Sequence, residues 1–221
     1  MIRVNLWIVV ITVLLCSTAY AIDPPKSLNW DISYDSVTSI IHKNDGMKLK
    51  KYSNGDPKIA KLGRGYHEYP VLTIPEGFLR TEVTDVKILD KKAQRTFLIF
   101  DSTDQFKAFQ YILKWDNDEK NKGMRKSWVF HSRLYDILKN KYGEPTSDEI
   151  SPTTKAKEIP SGTPYSTYWE DDDGSSVTLL ITRQTHDAVI ATIDAYLVFV
   201  VYKQEDYGVN TKWEVDSEDD L

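Results

Sequence analysis

The side chains that most often carry chemistry are spread thinly along this chain of 221 residues. The four histidines are at least 25 residues apart, so no short zinc-binding spacing such as H-E-x-x-H is present. A hydrolytic serine would need a strained elbow such as G-x-S-x-G, and the sequence has none. The sequence therefore predicts no catalytic residue, no metal ligand and no cofactor. The histidines are His42, His67, His131 and His186.

One histidine and most of the aromatic residues fall in patterns that are typical of a protein core. His131 lies on the apolar side of a helical pattern, so we expect it to be packed and hydrogen-bonded and not to act as a ligand or base. The tryptophans and tyrosines follow alternating or helical spacings, which favours core packing. The alternative is that some of them line a groove for a glycan or a peptide.

Residues 170–174 form an acidic cluster with the sequence Glu-Asp-Asp-Asp-Gly. Oxygen ligands this dense could hold calcium, but the spacing does not match an EF-hand loop. The Asp-Gly pair indicates a hairpin with a type I′ turn. We therefore expect a solvated turn at this place.

The charge of the chain is unevenly distributed. The net charge is −5, which argues against nucleic-acid binding. Residues 42–64 carry seven basic side chains against two acidic ones, whereas residues 204–221 carry seven acidic against one basic. The basic segment predicts a contact surface for an acidic protein or an anionic envelope component, unless the acidic tail folds back over it. The predicted contact residues are Lys48, Lys50, Lys51, Lys58, Lys61 and Arg64.

Residues 1–21 have the pattern of a secretory signal peptide. Arg3 precedes an apolar run at residues 6–15, and Ala19 and Ala21 form an A-x-A cleavage site. The apolar run is too short to remain as a membrane span. Cys16 follows Leu15, and a large residue there does not suit a lipoprotein site. We expect a periplasmic or secreted protein without a cysteine after cleavage.

Two helices are predicted in the rest of the chain. Ser33 suits an N-cap, with Asp35 in the first turn and Val37, Ile40 and Ile41 on one apolar face. Apolar side chains recur every three or four positions in residues 127–142, which predicts a second helix that ends at Gly143. Residues 116–125 are predicted to form a charged loop.

Strands are predicted around these helices. Residues 81–89, 96–100 and 106–115 suggest an antiparallel meander, although the third segment also fits a helix. Residues 165–169, 176–183 and 190–202 suggest C-terminal hairpin strands, and residues 47–75 suggest irregular structure with one or two short strands. The expected fold is α+β, an antiparallel sheet packed by two main helices, in a single domain over residues 22–203 before an acidic tail at 204–221.

Two passages of the sequence carry a family resemblance. Residues 30–37 contain W-x-x-S-x-x-x-V at a helix start, and residues 138–145 contain L-x-x-K-Y-G-x-P at a helix end. In both, the chain resembles a broad set of small exported bacterial α+β proteins of unknown function. It is more distantly similar to outer-membrane assembly lipoproteins of the SmpA/OmlA type. The resemblance implies an exported α+β protein and carries over no catalytic residue.

The function expected from the sequence is that of an exported binding or accessory protein with an unknown ligand. The alternative is a hydrolase that acts on a cell-wall or extracellular polymer. Paired carboxylates for such a reaction are possible among 33 acidic residues, but their separations cannot be read from a sequence.

The first prediction concerns export. N-terminal sequencing of the exported protein is expected to begin at Ile22, because Ala21 ends the cleavage site. A mature chain that begins at a lipid-modified Cys16 would contradict the predicted localisation.

Overall fold

The computed structural model describes residues 28–43, 47–52, 77–116, 122–148, 165–187 and 192–204. Within these residues the chain forms two helices, α1 (Tyr34–Lys43) and α2 (Lys122–Tyr142). The strands are β1 (Lys48–Tyr52), β2 (Leu79–Thr84), β3 (Lys87–Ile88), β4 (Lys91–Lys92), β5 (Arg95–Phe100), β6 (Phe106–Asp116), β7 (Ser147–Asp148), β8 (Tyr165–Glu170), β9 (Ser176–Asp187) and β10 (Thr192–Lys203).

Eight of these strands form one antiparallel sheet, and β3 and β4 pair as a separate hairpin. The order in the large sheet is β1-β2-β5-β6-β10-β9-β8-β7. The predicted α+β class is therefore confirmed, with more sheet than helix. None of the helices in the described ranges has the length and apolar character needed to cross a bilayer.

The two long strands at the middle of the sheet, β6 and β10, carry apolar side chains on both faces. On one face, Leu113 and Val198 belong to the same buried cluster as Val37 of α1 and Leu134 of α2. On the opposite face, Ile112 and its cross-strand partner Phe199 belong to a second buried cluster. An almost unbroken apolar run such as residues 196–202 is typical of a strand that is buried on both sides.

The start of α1 follows from local hydrogen bonding, as the sequence predicts. The Ser36 N–H donates to Ser33 Oγ at 3.3 Å, which makes Ser33 the N-cap. The preceding residues are fixed against β6, because the Asp31 N–H donates to the Phe106 carbonyl and the Phe106 N–H to the Ile32 carbonyl. The buried residues Val37 and Ile41 then attach the helix to the core.

The second helix begins five residues earlier than the sequence pattern indicates. It starts at Lys122, so the predicted charged loop is wrong for residues 122–125. Small side chains explain the difference, since Gly123 and Ser127 are both buried and allow the start of the helix to lie close to the sheet. The predicted end is confirmed, because Gly143 has a φ of +85° and its N–H donates to the Lys139 carbonyl at 2.9 Å.

The predicted meander is also partly different. The strand expected over residues 81–89 ends at Thr84, because Asp85 takes the left-handed conformation with a φ of +65°. The chain then forms the small β3–β4 hairpin before β5. The segment that fitted either a strand or a helix is strand β6.

The C-terminal hairpin is present, but its turn is not type I′. Glu170 pairs with Ser176, so five residues connect the strands. The Gly174 N–H donates to the Asp171 carbonyl, and only Gly174 has a positive φ there, at +76°. This is a turn with one left-handed glycine, whereas type I′ needs two residues with positive φ.

Other strand boundaries shift by a few residues. β9 continues to Asp187, four residues beyond the predicted end. β10 is described from Thr192, and residues 190 and 191 of the predicted strand lie outside the described residues. After α2, residues Ser147–Asp148 form β7 at the sheet edge. The signal peptide, most of residues 47–75 and of the acidic tail, and residues 149–164 lie outside the described residues.

The packing of α2 is tested by two adjacent residues. Leu138 is 3% exposed in the main core, whereas Ile137 is 42% exposed. Leu138→Ala is expected to lower the free energy of unfolding by about 2 to 5 kcal/mol through lost burial and a cavity. Ile137→Ala is expected to change it by less than about 0.5 kcal/mol. Urea unfolding of both variants measures the difference, and equal losses would contradict the assigned helix face.

Candidate functional site

Few of the predicted contact residues can be placed. Lys48, Lys50 and Lys51 lie in β1, at one edge of the sheet, and Lys48 is exposed. The register with β2 sets Lys48 and Lys50 opposite Thr84 and Glu82, and Lys51 opposite Thr81. Lys58, Lys61 and Arg64 lie outside the described residues.

The acidic cluster forms the turn between β8 and β9. Asp171 Oδ1 accepts the Asp172 N–H at 2.7 Å, and Asp173 Oδ1 accepts the Ser175 N–H at 2.8 Å. Two of the carboxylates therefore hold the backbone of the turn itself. Across the described ranges, no group of three or more histidine, cysteine and carboxylate side chains is placed to hold a metal ion.

His131 is buried in the core beneath α2, as its position in the sequence predicts. Its ring stacks on Trp128, with centroids 5.7 Å apart and planes at 16°. The hydrogen bond expected for this side chain is absent at Nε2, which has no partner within the part of the chain that the structure describes. Burial lowers the pKa of His131 to about 4, because the imidazolium ion would lose its hydration. The side chain is therefore neutral in the folded protein at neutral pH.

A groove that the sequence patterns did not indicate lies between the first half of α2 and the β3–β4 hairpin. Its volume is about 550 Å³, within the range of pockets that hold small molecules. Three segments far apart in the sequence form it. The lining residues are Asp90, Lys91, Trp115, Arg125, Lys126, Val129, Phe130 and Arg133.

Two buried rings form the apolar base of the groove. Trp115 is the penultimate residue of β6, and its ring lies 5.1 Å from that of Phe130 on α2. Both residues belong to the main core cluster. The base of the groove is therefore a rigid continuation of the core.

The hairpin is attached to the same base. Val86 and Ala93 are buried in the main core, and the Ala93 N–H donates to the Val86 carbonyl at 2.9 Å. The Gln94 N–H donates to the Ile112 carbonyl at 2.8 Å, three residues before Trp115 in β6. These contacts hold Lys91 beside the tryptophan, with its Nζ 4.8 Å from the centroid of the ring.

The remaining cations of the groove come from one side of α2. Arg125, Val129 and Arg133 follow at four-residue intervals, so they form a row along the helix. Val129 is 64% exposed, which makes it an apolar side chain at the mouth of the groove. Arg133 Nη1 lies 3.8 Å from Asp90 Oδ1 on the hairpin, and both side chains are mostly exposed.

The groove has an excess of positive charge. Among the described lining side chains, four are cationic and one, Asp90, is a carboxylate. The nearby carboxylate of Asp116 forms an ion pair with Lys114 at 2.7 Å, and Lys114 belongs to the other face of β6 from Trp115. The first turn of α2 has no acidic residue, although the helix dipole favours negative charge there. The arrangement can bind an anion.

Comparison of the chain with protein-family models, with curated proteins and with solved structures finds no match. The resemblance inferred from the helix start and the helix end therefore stays a prediction. The function has to be argued from the geometry of the groove.

The depressed pKa of His131 generates a prediction of pH dependence. The unfolded chain takes up this proton near pH 6.5, whereas the folded chain takes it up only near pH 4. The stability from neutral His131 is complete above pH 6.5 and is lost as the pH falls towards 4. A shift of this size corresponds to about 3 kcal/mol.

Urea unfolding of the wild type and of His131→Gln at a series of pH values across this window measures the effect. The free energy of unfolding is expected to fall more steeply with decreasing pH in the wild type than in the variant, because glutamine does not titrate. The difference between the two slopes is the readout, since the variant also changes packing at neutral pH. Parallel slopes would show that His131 does not cause the loss.

Proposed function

We propose that this chain is an exported binding protein, periplasmic or secreted, that holds an anionic component of the cell envelope in the groove between α2 and the β3–β4 hairpin. The observation that carries the proposal is the position of Lys91, whose ammonium group lies over the buried Trp115 ring. A ring can fix a cation while leaving its full charge for a ligand. Export rests on the signal-peptide pattern of residues 1–21.

The proposal treats residues 22–203 as one α+β domain in which both helices pack on the same face of the sheet. Val37 and Ile41 of α1 and Leu134 and Leu138 of α2 support this arrangement, because all four belong to one buried cluster with strand residues. In such a domain the groove lies at one end of the sheet, where β6 ends and α2 begins.

A binding role uses the groove better than the hydrolase alternative does. A glycoside hydrolase needs two carboxyl groups on either side of the scissile bond. Within the described lining, Asp90 is the one carboxylate, and it lies beside Arg133 at the surface. The cations and the apolar base instead suit a ligand that carries both negative charge and an apolar part.

The test compares two charge-reversal variants. Arg125→Glu combined with Lys126→Glu removes two groove cations, and Lys48→Glu with Lys50→Glu and Lys51→Glu reverses three lysines of β1. Binding to dextran sulfate, a defined polyanion, and to an isolated envelope fraction is expected to be lost in the first variant and retained in the second. The second variant controls for the effect of net charge, because it reverses three charges whereas the first variant reverses two.

The first variant is also expected to be more stable than the wild type. Arg125 ends the first turn of α2, where the helix dipole favours a glutamate over an arginine, and this replacement is worth about 0.3 to 1 kcal/mol. Lys126 begins the second turn, where the dipole has little effect. Thermal unfolding measures this gain. Loss of binding in the β1 variant alone would move the site to the lysine segment, and a large loss of stability in the groove variant would show a structural role.

A further inference from the structure

We propose that the anionic group bound in the groove is a phosphate, held between Lys91 and Arg133, with Arg125 and Lys126 adding to the positive potential around it. This inference rests on the proposed function and specifies the ligand class for the same site. Asp90 is then a competing carboxylate that the phosphate displaces from Arg133.

Lys91 is the fixed half of this subsite. Its Nζ is held by the Trp115 ring and not by a carboxylate, and no ion pair involves Lys91 within the described part of the chain. A surface lysine normally loses side-chain entropy when it binds an anion. Part of that loss has already occurred here, because the cation–π contact restricts the side chain.

Arg133 is the exchangeable half. The 3.8 Å between its Nη1 and Asp90 Oδ1 is too long for a hydrogen bond, so the pair is a weak surface ion pair. A phosphate offers several oxygens to the planar fork of the guanidinium group and can accept two parallel N–H bonds. Such a ligand makes better hydrogen bonds with Arg133 than Asp90 does.

The charge of the lining favours a phosphate over a single carboxylate. In the described lining, four cations against one carboxylate exceed what one carboxylate ligand can neutralise, whereas a phosphate monoester carries up to two negative charges and three acceptor oxygens. Lys126 and Arg125 lie in the first turns of α2, where the helix dipole also attracts a phosphate. Val129 and the rings below it can contact the organic part of the ligand.

The experiment measures binding of glycerol 3-phosphate, inorganic phosphate and citrate by calorimetry at constant ionic strength. Glycerol 3-phosphate and inorganic phosphate are expected to bind. Arg133→Gln and Lys91→Met are each expected to weaken binding about tenfold, because each removes one charge-assisted contact. Met keeps an apolar stem over Trp115. Lys92→Met, one residue further along β4, is the matched control and is expected to bind like the wild type.

Asp90→Asn gives a change of the opposite sign. Removing the competing carboxylate is expected to tighten phosphate binding several-fold, which unspecific damage to the groove would not do. Weaker binding in Asp90→Asn would overturn the assignment of Asp90 as a competitor of the ligand and with it this subsite.

Vesicles of phosphatidylcholine with and without phosphatidic acid distinguish a lipid phosphate from a free one. Binding to phosphatidic acid vesicles alone, lost in Arg133→Gln, supports a phosphate that belongs to a lipid, and binding to glycerol 3-phosphate supports a soluble ligand. Binding of citrate without either phosphate would overturn the phosphate assignment and leave the anion-binding function intact. If none of these anions binds and the groove variants still bind the envelope fraction, both proposals fail.

Discussion

The structure depends on the burial of both faces of β6 and β10. Every residue of β10 from Ala195 to Val201 is buried, and the apolar residues paired with them in β6 belong to one or the other of the two core clusters. A one-residue slip between these strands would exchange the two sets of side chains, so the register is strongly fixed. The positions of the helices follow from it, because the helix-bearing face offers one continuous apolar surface on which Phe130, Leu134 and Leu138 pack.

The groove is a consequence of the same constraint. Trp115 belongs to the helix-bearing face because it follows Leu113 by two residues in β6 and pairs with Tyr196 of β10. The first turns of α2 lie against the sheet through the buried Gly123 and Ser127, and Arg125 and Lys126 are exposed beside the end of β6. The β3–β4 hairpin, attached through Val86 and Ala93, forms the second wall. The groove therefore has cationic side chains on both walls, and its base is held rigid by the core.

The sequence predicts those parts of the fold whose causes are local. Ser33 and Gly143 mark a helix start and a helix end because capping depends on a few neighbouring residues. The first turns of α2 cannot be predicted in this way. Residues 116–123 consist mainly of Asp, Asn, Lys and Gly, a composition that is typical of a loop. Gly123 and Ser127 are buried, which shows that packing against the sheet, and not local propensity, makes these residues helical.

The groove could not be predicted for a related reason. Asp90, Trp115 and Arg133 come from three segments, and nothing in the sequence fixes their proximity. The sequence contains one signal of the groove, the row of Arg125, Val129 and Arg133 at helical spacing. This row can be recognised only when the helix is known to start at Lys122. The sequence indicates the lysine segment because many of its charges are close together along the chain, whereas only the fold brings Lys91 near Arg125, Lys126 and Arg133.

Departures from local structural rules collect around this groove. Basic residues occupy the start of α2, where the dipole disfavours them, and Val129 is exposed on a helix that buries its other apolar face. At the tip of the hairpin, beside Asp90, Leu89 has a φ of +53°, a conformation that a bulky residue rarely adopts. The positive φ of Leu89 closes the two-residue turn between Ile88 and Lys91, so this departure serves the hairpin itself. The basic start of α2 and the exposed Val129 cost some stability, and their position agrees with the proposed binding role of the groove.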